Sequence, residues 1–415
     1  MSIPMQDASR FKVVSRQPKP SPDGEDLGEN MILEMGPAHP VTHGVVQFTI
    51  ELDGETIKHL DVEIGYLHRA FEKMCEQMTW NQVLPYTDRL NYISPLLNNV
   101  GYVMAAEKLI GLEVPPRCQW IRMLIGEMSR MTDHLTCVGA GAMELAAFTP
   151  FLYACKAREE LFRHVERLCG ARLTTSYTRV GGLAHDLPPN YLEELEAILV
   201  KVEKELVEVD KMLTRNRIFM DRLVGVGKLS KEAALEYGIT GPFLRSTGVA
   251  YDVRKDHPYM YYDQVDFDVP VGSHGDNYDR YLCRLEELMQ SKRIIRQVME
   301  HLREPGPVNA EDWRYVLPPK QDVYNSIEGM MGHFKIIMEG IPVPAGEAYG
   351  YTEAANGELG FHLISNGAGQ PYRVRCKGPC FFIMQAVPEL LEGGMIADIV
   401  PTFDSVNMIA GEMDR

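Results

Sequence analysis

With 415 residues, 45% of them hydrophobic, the chain is long enough for two or three compact units and apolar enough for a substantial core. A formal net charge of −16 argues against nucleic-acid binding, which needs clustered Lys and Arg, and against adhesion to anionic lipid; a place at a membrane would have to be held by other proteins. Eight cysteines without a C-x-x-C pair read as reduced thiols, and the close pair Cys376 and Cys380 lacks the partners of a four-ligand cluster, so no metal is expected on this chain.

Residues 1–30 mix Arg10, Lys12, Arg16 and Lys19 with Asp7, Asp23, Glu25 and Glu29, which is neither a secretory signal nor an acid-free transit peptide. Pro18, Pro20, Pro22 and Gly24 mark a polar arm. Residues 31–64 read as an antiparallel β unit. Two strand-like runs, Met31 to Met35 and Val45 to Leu52, flank Gly36-Pro37-Ala38-His39-Pro40-Val41-Thr42-His43-Gly44, and the Asp53-Gly54 turn leads into a further run to Ile64. Pro40 with the bracketing Gly36, Pro37 and Gly44 argues against a helix, so His39 and His43 sit on a tight loop. Two imidazoles fall short of the three or four ligands of a stable metal site, and satisfied structural histidines would look the same.

Residues 65–240 read as a helical bundle, with helical periodicity over 65–78, 98–112 and 120–148, punctuated by Pro85, Pro95, Pro115 and Pro116. A helix through Asp88, Arg89 and Tyr92 would put all three on one face, a common surface cluster. Val138 to Cys155 carries Glu144 as its one charged residue; an ionised carboxylate there would cost about 3 kcal/mol to insert in a bilayer, and with Pro150 present a buried bundle helix fits better. Asn190 to Leu213 is amphipathic and solvent-facing. Residues 241–415 read as long helices over 277–302 and 323–338 followed by a mixed β/α segment with short strands over 342–375. The fold class is α+β: a small N-terminal antiparallel sheet, a central helical bundle and a mixed C-terminal segment. There is no Walker-type loop, and neither Gly139-Ala140-Gly141 nor Gly225-Val226-Gly227 extends to G-x-G-x-x-G, so the chain shows no nucleotide-binding fingerprint.

The histidine loop, with its pattern G-P-x-H-P-x-x-H-G, resembles that of the quinone-pocket subunit of respiratory complex I, the D-type subunit of proton-pumping NADH:quinone oxidoreductases. Similar in the same order are the stretches 64–69, 86–92, 107–109, 114–117, 149–151, 181–188, 251–255 and 267–270 and the closing Gly411-Glu412-Met413-Asp414-Arg415, so the likeness runs from Met31 to Arg415. It implies a fold like the large subunit of nickel-iron hydrogenases, whose two C-x-x-C pairs, and hence nickel, are missing here. Quinone would be the substrate. The resemblance gives His43 and Tyr92 to the two quinone carbonyls, sets His39 beside the same pocket, and puts Arg69, Arg89 and residue 174 near the terminal [4Fe-4S] cluster of a neighbouring subunit. It also implies that NADH and FMN belong to other subunits, that no cofactor is bound by this chain, and that the partners include the terminal-cluster subunit, the C-type peripheral subunit and the quinone-channel membrane subunit, on the cytoplasmic face of a bacterial inner membrane.

Two positions depart from the family pattern. Glu144 stands where an aspartate usually pairs with the residue matching His43, and Thr174 where many relatives have a titrating histidine. These departures keep an alternative open, an architectural subunit of a related, for instance ferredoxin-fed, membrane oxidoreductase. The quinone type is not written in these residues.

Overall fold

The computed structural model describes residues 30–42 and 44–415; the polar arm expected over 1–30, save Asn30, and His43 lie outside the described residues. The N-terminal sheet is antiparallel in the order β1 (Met31–Met35), β4 (Gln47–Asp53), β5 (Thr56–Glu63), with the short pair β2 (Ala38–His39) and β3 (Gly44–Val45) between β1 and β4. The period-two pattern of β4 buries Phe48, Ile50 and Leu52 on one face. That face packs edge-on against Phe403, ring centroids 5.2 Å apart.

The helical part follows as α1 (Phe71–Cys75), α2 (Leu84–Thr87), α3 (Pro95–Ile110), α4 (Pro116–Glu144) and α5 (Phe148–Cys169), the two-residue strands β6 (Thr178–Arg179) and β7 (Gly182–Leu183), then α6 (Tyr191–Leu213), α7 (Arg217–Leu223), α8 (Lys231–Glu236), α9 (Gly241–Ser246), α10 (Val253–Asp256) and α11 (Asn277–His301). The 29-residue α4 is the spine, packed on one side by α5, which α6 then covers, and on another by α11. Leu124, Leu161, Leu199 and Ile295 meet in this core, each worth about 1.5–3 kcal/mol of burial. After α12 (Lys320–Asn325) and α13 (Ile327–Met338) comes an antiparallel sheet in the order β10 (Arg373–Lys377), β9 (Gly357–Ser365), β8 (Gly346–Ala354), laid on α3. Gly350 makes that approach possible, because a β-carbon there would lie 2.6 Å from Ala105 Cα. The chain closes with α14 (Pro379–Gln385), α15 (Val387–Leu391), α16 (Ile399–Val406) and α17 (Ala410–Asp414). The fold is mixed α and β with small antiparallel sheets.

Four helical expectations are corrected. Over 65–78 only α1 is helical: Gly65 (φ 109°) and Ala70 (φ 55°) leave the right-handed region, and Asp414 takes the backbone amides of Gly65 and Leu67 instead. The helix weighed for Asp88, Arg89 and Tyr92 is absent: α2 stops at Thr87, and beyond it the Asn91 side chain accepts from Ile93 N and Ser94 N and closes a turn. Those three residues therefore share no helical face: Asp88 is buried, Arg89 exposed and Tyr92 half-buried. The apolar segment 138–155 breaks after Glu144, with Ala146 at φ 63°, before α5 begins. The helix expected over 323–338 is two, divided at Ser326, whose hydroxyl accepts from Gly329 N and caps α13. Among the described residues no helix is long and apolar enough to cross a membrane. One face of α13 is bare in this chain: Ile327, Met330, Phe334, Ile337 and Met338 are all more than half exposed.

Candidate functional site

The histidine loop is built from its own backbone. His39 pairs with Gly44 across β2 and β3, a single 3-10 turn spans Pro40–Thr42, and the buried Thr42 hydroxyl lies 2.7 Å from the His39 carbonyl oxygen and 2.9 Å from that of Gly44. At its base Val46 N donates to Pro37 O at 3.0 Å. His39 is half-buried on this framework, and the loop rests on α16. Gly44 faces the last residues of the chain, where a β-carbon would stand 3.0 Å from Ala410 Cβ and 3.1 Å from Met408 Cε.

The same C-terminal stretch meets Tyr92 on its other side. A β-carbon at Gly411 would lie 2.5 Å from Arg89 O, 2.7 Å from Leu90 O and 3.3 Å from Tyr92 Cδ1. Residues 408–411 are thus a common wall between the histidine loop and the Tyr92 turn, and Tyr92 packs on the hydrophobic cluster that holds Met408, Ala410, Met413 and Cys380. Asp133 of α4 locks the arrangement: its carboxylate accepts from Asn91 Nδ2 and Ser94 Oγ, both at 2.9 Å, and from Asn407 Nδ2 at 2.7 Å. Burial first, and then the negative charge that Cys380 and Asp133 would present, push the Tyr92 phenol above its ordinary value, against the pull of Arg69. Tyr92 is accordingly a protonated hydrogen-bond donor at physiological pH.

Glu144 is the last residue of α4, half-buried, one helical turn beyond Gly141. Gly141 is where α16 crosses α4 and Asp404 packs: a β-carbon on Gly141 would meet Asp404 Oδ2 at 2.2 Å. The Pro40–Thr42 turn of the histidine loop rests on the same α16.

Arg69 and Arg89 do come together. The Arg69 guanidinium donates to Arg89 O, and the Arg89 guanidinium to Pro85 O. Burial, followed by the charge of Arg89, holds the Arg69 pKa below its usual value, against Asp414 and Tyr92. Asp414 fixes the approach to Arg69 through Gly65 N (2.9 Å) and Leu67 N (2.8 Å), while its own carbonyl oxygen meets His68 Nδ1 at 2.6 Å. Thr174 is exposed; two residues on, Ser176 donates through its hydroxyl and its backbone amide to Asp88, the neighbour of Arg89. Burial raises the Asp88 pKa in spite of the Ser176 and Asn99 donors.

Sequence reasoning missed three supports of this region, namely Asp133, Asn407 and the closing stretch from Gly411 to Arg415. That stretch is recognisable as a motif, yet nothing local announces that it is a wall. A second omission is a buried ionic network beneath the site. Arg245 donates to Glu287 (2.7 Å) and Glu353 (2.8 Å), Arg254 to Asp252 (2.7 Å) and Glu127 (3.0 Å), Arg130 to Glu127 (3.2 Å), and His134 Nε2 lies 2.7 Å from Glu287. Burial alone would raise the Glu127 carboxyl, but Arg130, Arg254 and the Ser291 and Tyr262 hydroxyls outweigh it and hold the pKa down to about 2. The signal was present, since Glu127, Arg130 and His134 follow one another at i, i+3 and i+7 on one face of α4. Among the described residues no three His, Cys, Asp or Glu side chains gather as metal ligands.

The comparisons with known proteins agree with one another. A family model described as the 49 kDa subunit of the respiratory-chain NADH dehydrogenase matches residues 144–415. The chain is 56% identical over 387 residues to a D-type NADH-quinone oxidoreductase subunit of Sorangium cellulosum, covering 93% of this chain and 96% of that one. It is 55% identical over 387 residues to the D-type NADH-quinone oxidoreductase subunit of Myxococcus xanthus, covering 93% of each. A C/D-type NADH-quinone oxidoreductase subunit of Bdellovibrio bacteriovorus is 48% identical over 398 residues, 96% of this chain and 71% of that longer protein. On both counts the chain belongs to the family of the 49 kDa subunit of the respiratory-chain NADH dehydrogenase.

Proposed function

We propose that this chain works as the D-type subunit of NADH-quinone oxidoreductase, a peripheral-arm subunit of complex I, and that it forms the wall of the quinone-headgroup site. The observation that supports the reading is the 408–411 stretch packed between Gly44 of the histidine loop and Tyr92, which ties the loop and the Tyr92 turn to one scaffold. The neighbouring subunit's terminal [4Fe-4S] cluster supplies the electrons, and the residues of this chain supply the protons. The Tyr92 hydroxyl donates to one quinone carbonyl and transfers its proton as reduction makes that oxygen basic. His43 serves the other carbonyl, oriented by Glu144, with His39 beside the pocket. Arg69 and Arg89 bring fixed positive charge toward the cluster, which favours its reduced form. Quinol leaves with two protons and two electrons, and the chemistry is passed on to proton pumping elsewhere in the complex.

The Bdellovibrio bacteriovorus protein, whose name joins the C and D types in one chain, supports a C-type subunit as a direct partner. The terminal-cluster subunit and the quinone-channel membrane subunit complete the set, and together they hold this chain on the cytoplasmic face of the inner membrane. NADH and FMN are handled by other subunits.

The test compares membranes carrying wild-type protein and Tyr92→Phe in two assays, NADH to a hydrophilic acceptor that bypasses quinone and NADH to quinone. Loss of most of the second rate with the first intact is expected. Survival of both would remove Tyr92 from the chemistry.

A further inference from the structure

The buried ionic network does not balance its own charge. Its ion pairs join three guanidiniums, Arg130, Arg245 and Arg254, to four carboxyls, Glu127, Asp252, Glu287 and Glu353, all of them 2% exposed or less. With every carboxyl ionised the cluster carries one uncompensated negative charge, a costly state at this depth. His134, the remaining member, does not supply the missing positive charge. Its Nε2 lies 2.7 Å from Glu287 Oε2, while Nδ1 is buried and has no hydrogen-bond partner among the described residues, so a proton added there would be stranded. Burial holds the imidazole below its ordinary pKa, against the pull of Glu287 and Asp133.

The donors around the four carboxyls separate them. Glu127 accepts from Arg130, from Arg254 and, at 2.7 Å each, from the Tyr262 and Ser291 hydroxyls. Asp252 accepts from the Arg254 amide at 2.9 Å and from its Nε at 3.0 Å and Nη2 at 2.7 Å. Glu287 accepts from Arg245 Nε at 3.0 Å and Nη2 at 2.7 Å, and faces His134 as well. Glu353 is held least: it has Arg245 Nη1 at 2.8 Å, a nitrogen that also lies 3.6 Å from Asp252, and the Val253 amide at 3.3 Å. We propose that Glu353 is the proton-binding residue of this cluster, taking one proton before the other three carboxyls and so bringing the cluster to charge balance.

The charged and titratable groups that face Glu353 are Arg130 on α4, Arg245 on α9, Asp252 and Arg254 at the start of α10, and Tyr251 and Tyr259 on either side of α10. Burial, and then the Asp252 charge, raises the Glu353 carboxyl against the three guanidiniums. Burial works the same way on Glu127, Asp252 and Glu287, but there the paired cations outweigh it and hold each carboxyl below its ordinary value. The place of Glu353 matters to the wall at 408–411. Three residues on, Asn356 accepts from Asn407 Nδ2 at 2.7 Å and donates to Asn407 O at 3.0 Å, and Asn407 leads directly into that wall. A group whose charge changes with pH thus lies at the root of the β8–β9 hairpin that supports it.

The experiment follows thermal unfolding of the purified complex, read at this subunit by limited proteolysis, from pH 5 to pH 8 for wild type, Glu353→Gln and Glu287→Gln. Because the folded pKa of Glu353 is raised above the ordinary 4.5, wild type loses stability as the pH rises from there through the folded value. Glu353→Gln is neutral at every pH and is spared that loss. Its midpoint relative to wild type should therefore climb between pH 5 and pH 8, by about one to two degrees. Glu287→Gln, which removes a carboxylate the fold holds ionised, should lie below wild type at pH 8. A constant gap between Glu353→Gln and wild type, or a loss at pH 8 as large as that of Glu287→Gln, overturns the proposal. Should Glu353→Gln fail to assemble, His134→Gln decides between the imidazole and the carboxyl. A gap to wild type that changes with pH puts the proton on His134 and overturns the proposal, whereas a constant gap supports the carboxyl.

Discussion

Gly411 and Tyr92 touch so closely that a β-carbon on the first would lie 3.3 Å from a ring carbon of the second, and closer still to the carbonyl oxygens of Arg89 and Leu90. Neither backbone oxygen can be moved without moving the Tyr92 turn. Gly411→Ala is therefore expected to cost about 1–3 kcal/mol through overpacking and to displace the Tyr92 turn. Quinone reduction should fall several-fold with NADH oxidation by the hydrophilic acceptor preserved. Equal rates in both assays would mean that the wall yields without consequence.

Glu144→Gln tests the carboxylate at the end of α4. A negative charge at a helix C-terminus opposes the helix dipole by about 0.3–1 kcal/mol, so removing it does not threaten the fold. Slower quinone turnover from an intact complex is expected, followed by native gel electrophoresis alongside the two activity assays. Unchanged turnover would take Glu144 out of the mechanism.

Asp133→Ala should be mainly a stability defect. It strands the buried Asn91 amide and Ser94 hydroxyl and takes one acceptor from Asn407, which keeps Asn356 Oδ1 at 2.7 Å. At about 1–3 kcal/mol for each stranded donor, a loss of at least a few kcal/mol is expected. Thermal unfolding of the purified complex, read at this subunit by limited proteolysis, measures it; a midpoint within a degree of wild type would contradict the hub.

The ionic network gives a pH dependence with a definite sign. Glu127 is held down to about 2 in the fold, below its ordinary value of 4.5, so its contribution is present above pH 4.5 and is lost as the pH falls from there toward 2. Glu287, also held down against its burial, by Arg245 and His134, acts in the same direction. Acid unfolding of the purified chain, followed by tryptophan fluorescence, should lie in that window. Removing one partner by Arg245→Met leaves Glu287 and Glu353 without their shared cation, and should cost about 3–5 kcal/mol and bring unfolding to higher pH. An acid midpoint that does not move in this variant would exclude the network as the cause.

Thr174 cannot titrate; it is exposed, two residues before Ser176, which donates to Asp88, the neighbour of Arg89. On the proposed reading, which puts residue 174 near a neighbouring subunit's terminal cluster, that cluster is expected to show a shallow dependence of its midpoint potential on pH, and Thr174→His a steeper one, up to about 59 mV per pH unit for one proton per electron. Redox titrations by electron paramagnetic resonance at several pH values decide it, and a steep slope in wild type would sink the idea.

What could be read ahead of the structure was local. The alternation in Gln47–Asp53, the turn at Asp53-Gly54 and the Pro and Gly around His39 each act within a few residues, and so gave the β-loop-β unit correctly. The amphipathic stretch over 190–213 needed nothing beyond its own period to become α6. The helix ends near the site were hidden because distant groups set them. Asp414 takes the amides of Gly65 and Leu67, and Asn407 reaches Asp133, which in turn holds Asn91 and Ser94. His39, Tyr92, Glu144, Arg69 and Arg89 were singled out through family resemblance, whereas the wall that unites two of them comes from the far end of the chain.

The bare face of α13 makes the lone polypeptide the vulnerable form of this protein. Ile327, Phe334 and Ile337 offer a ready-made adhesive strip to any other exposed apolar surface, and oxidation of Met330 or Met338 to the sulfoxide would convert part of that strip irregularly into a polar one. Left uncovered, a strip of this kind promotes self-association, and in this chain a single twelve-residue helix carries it.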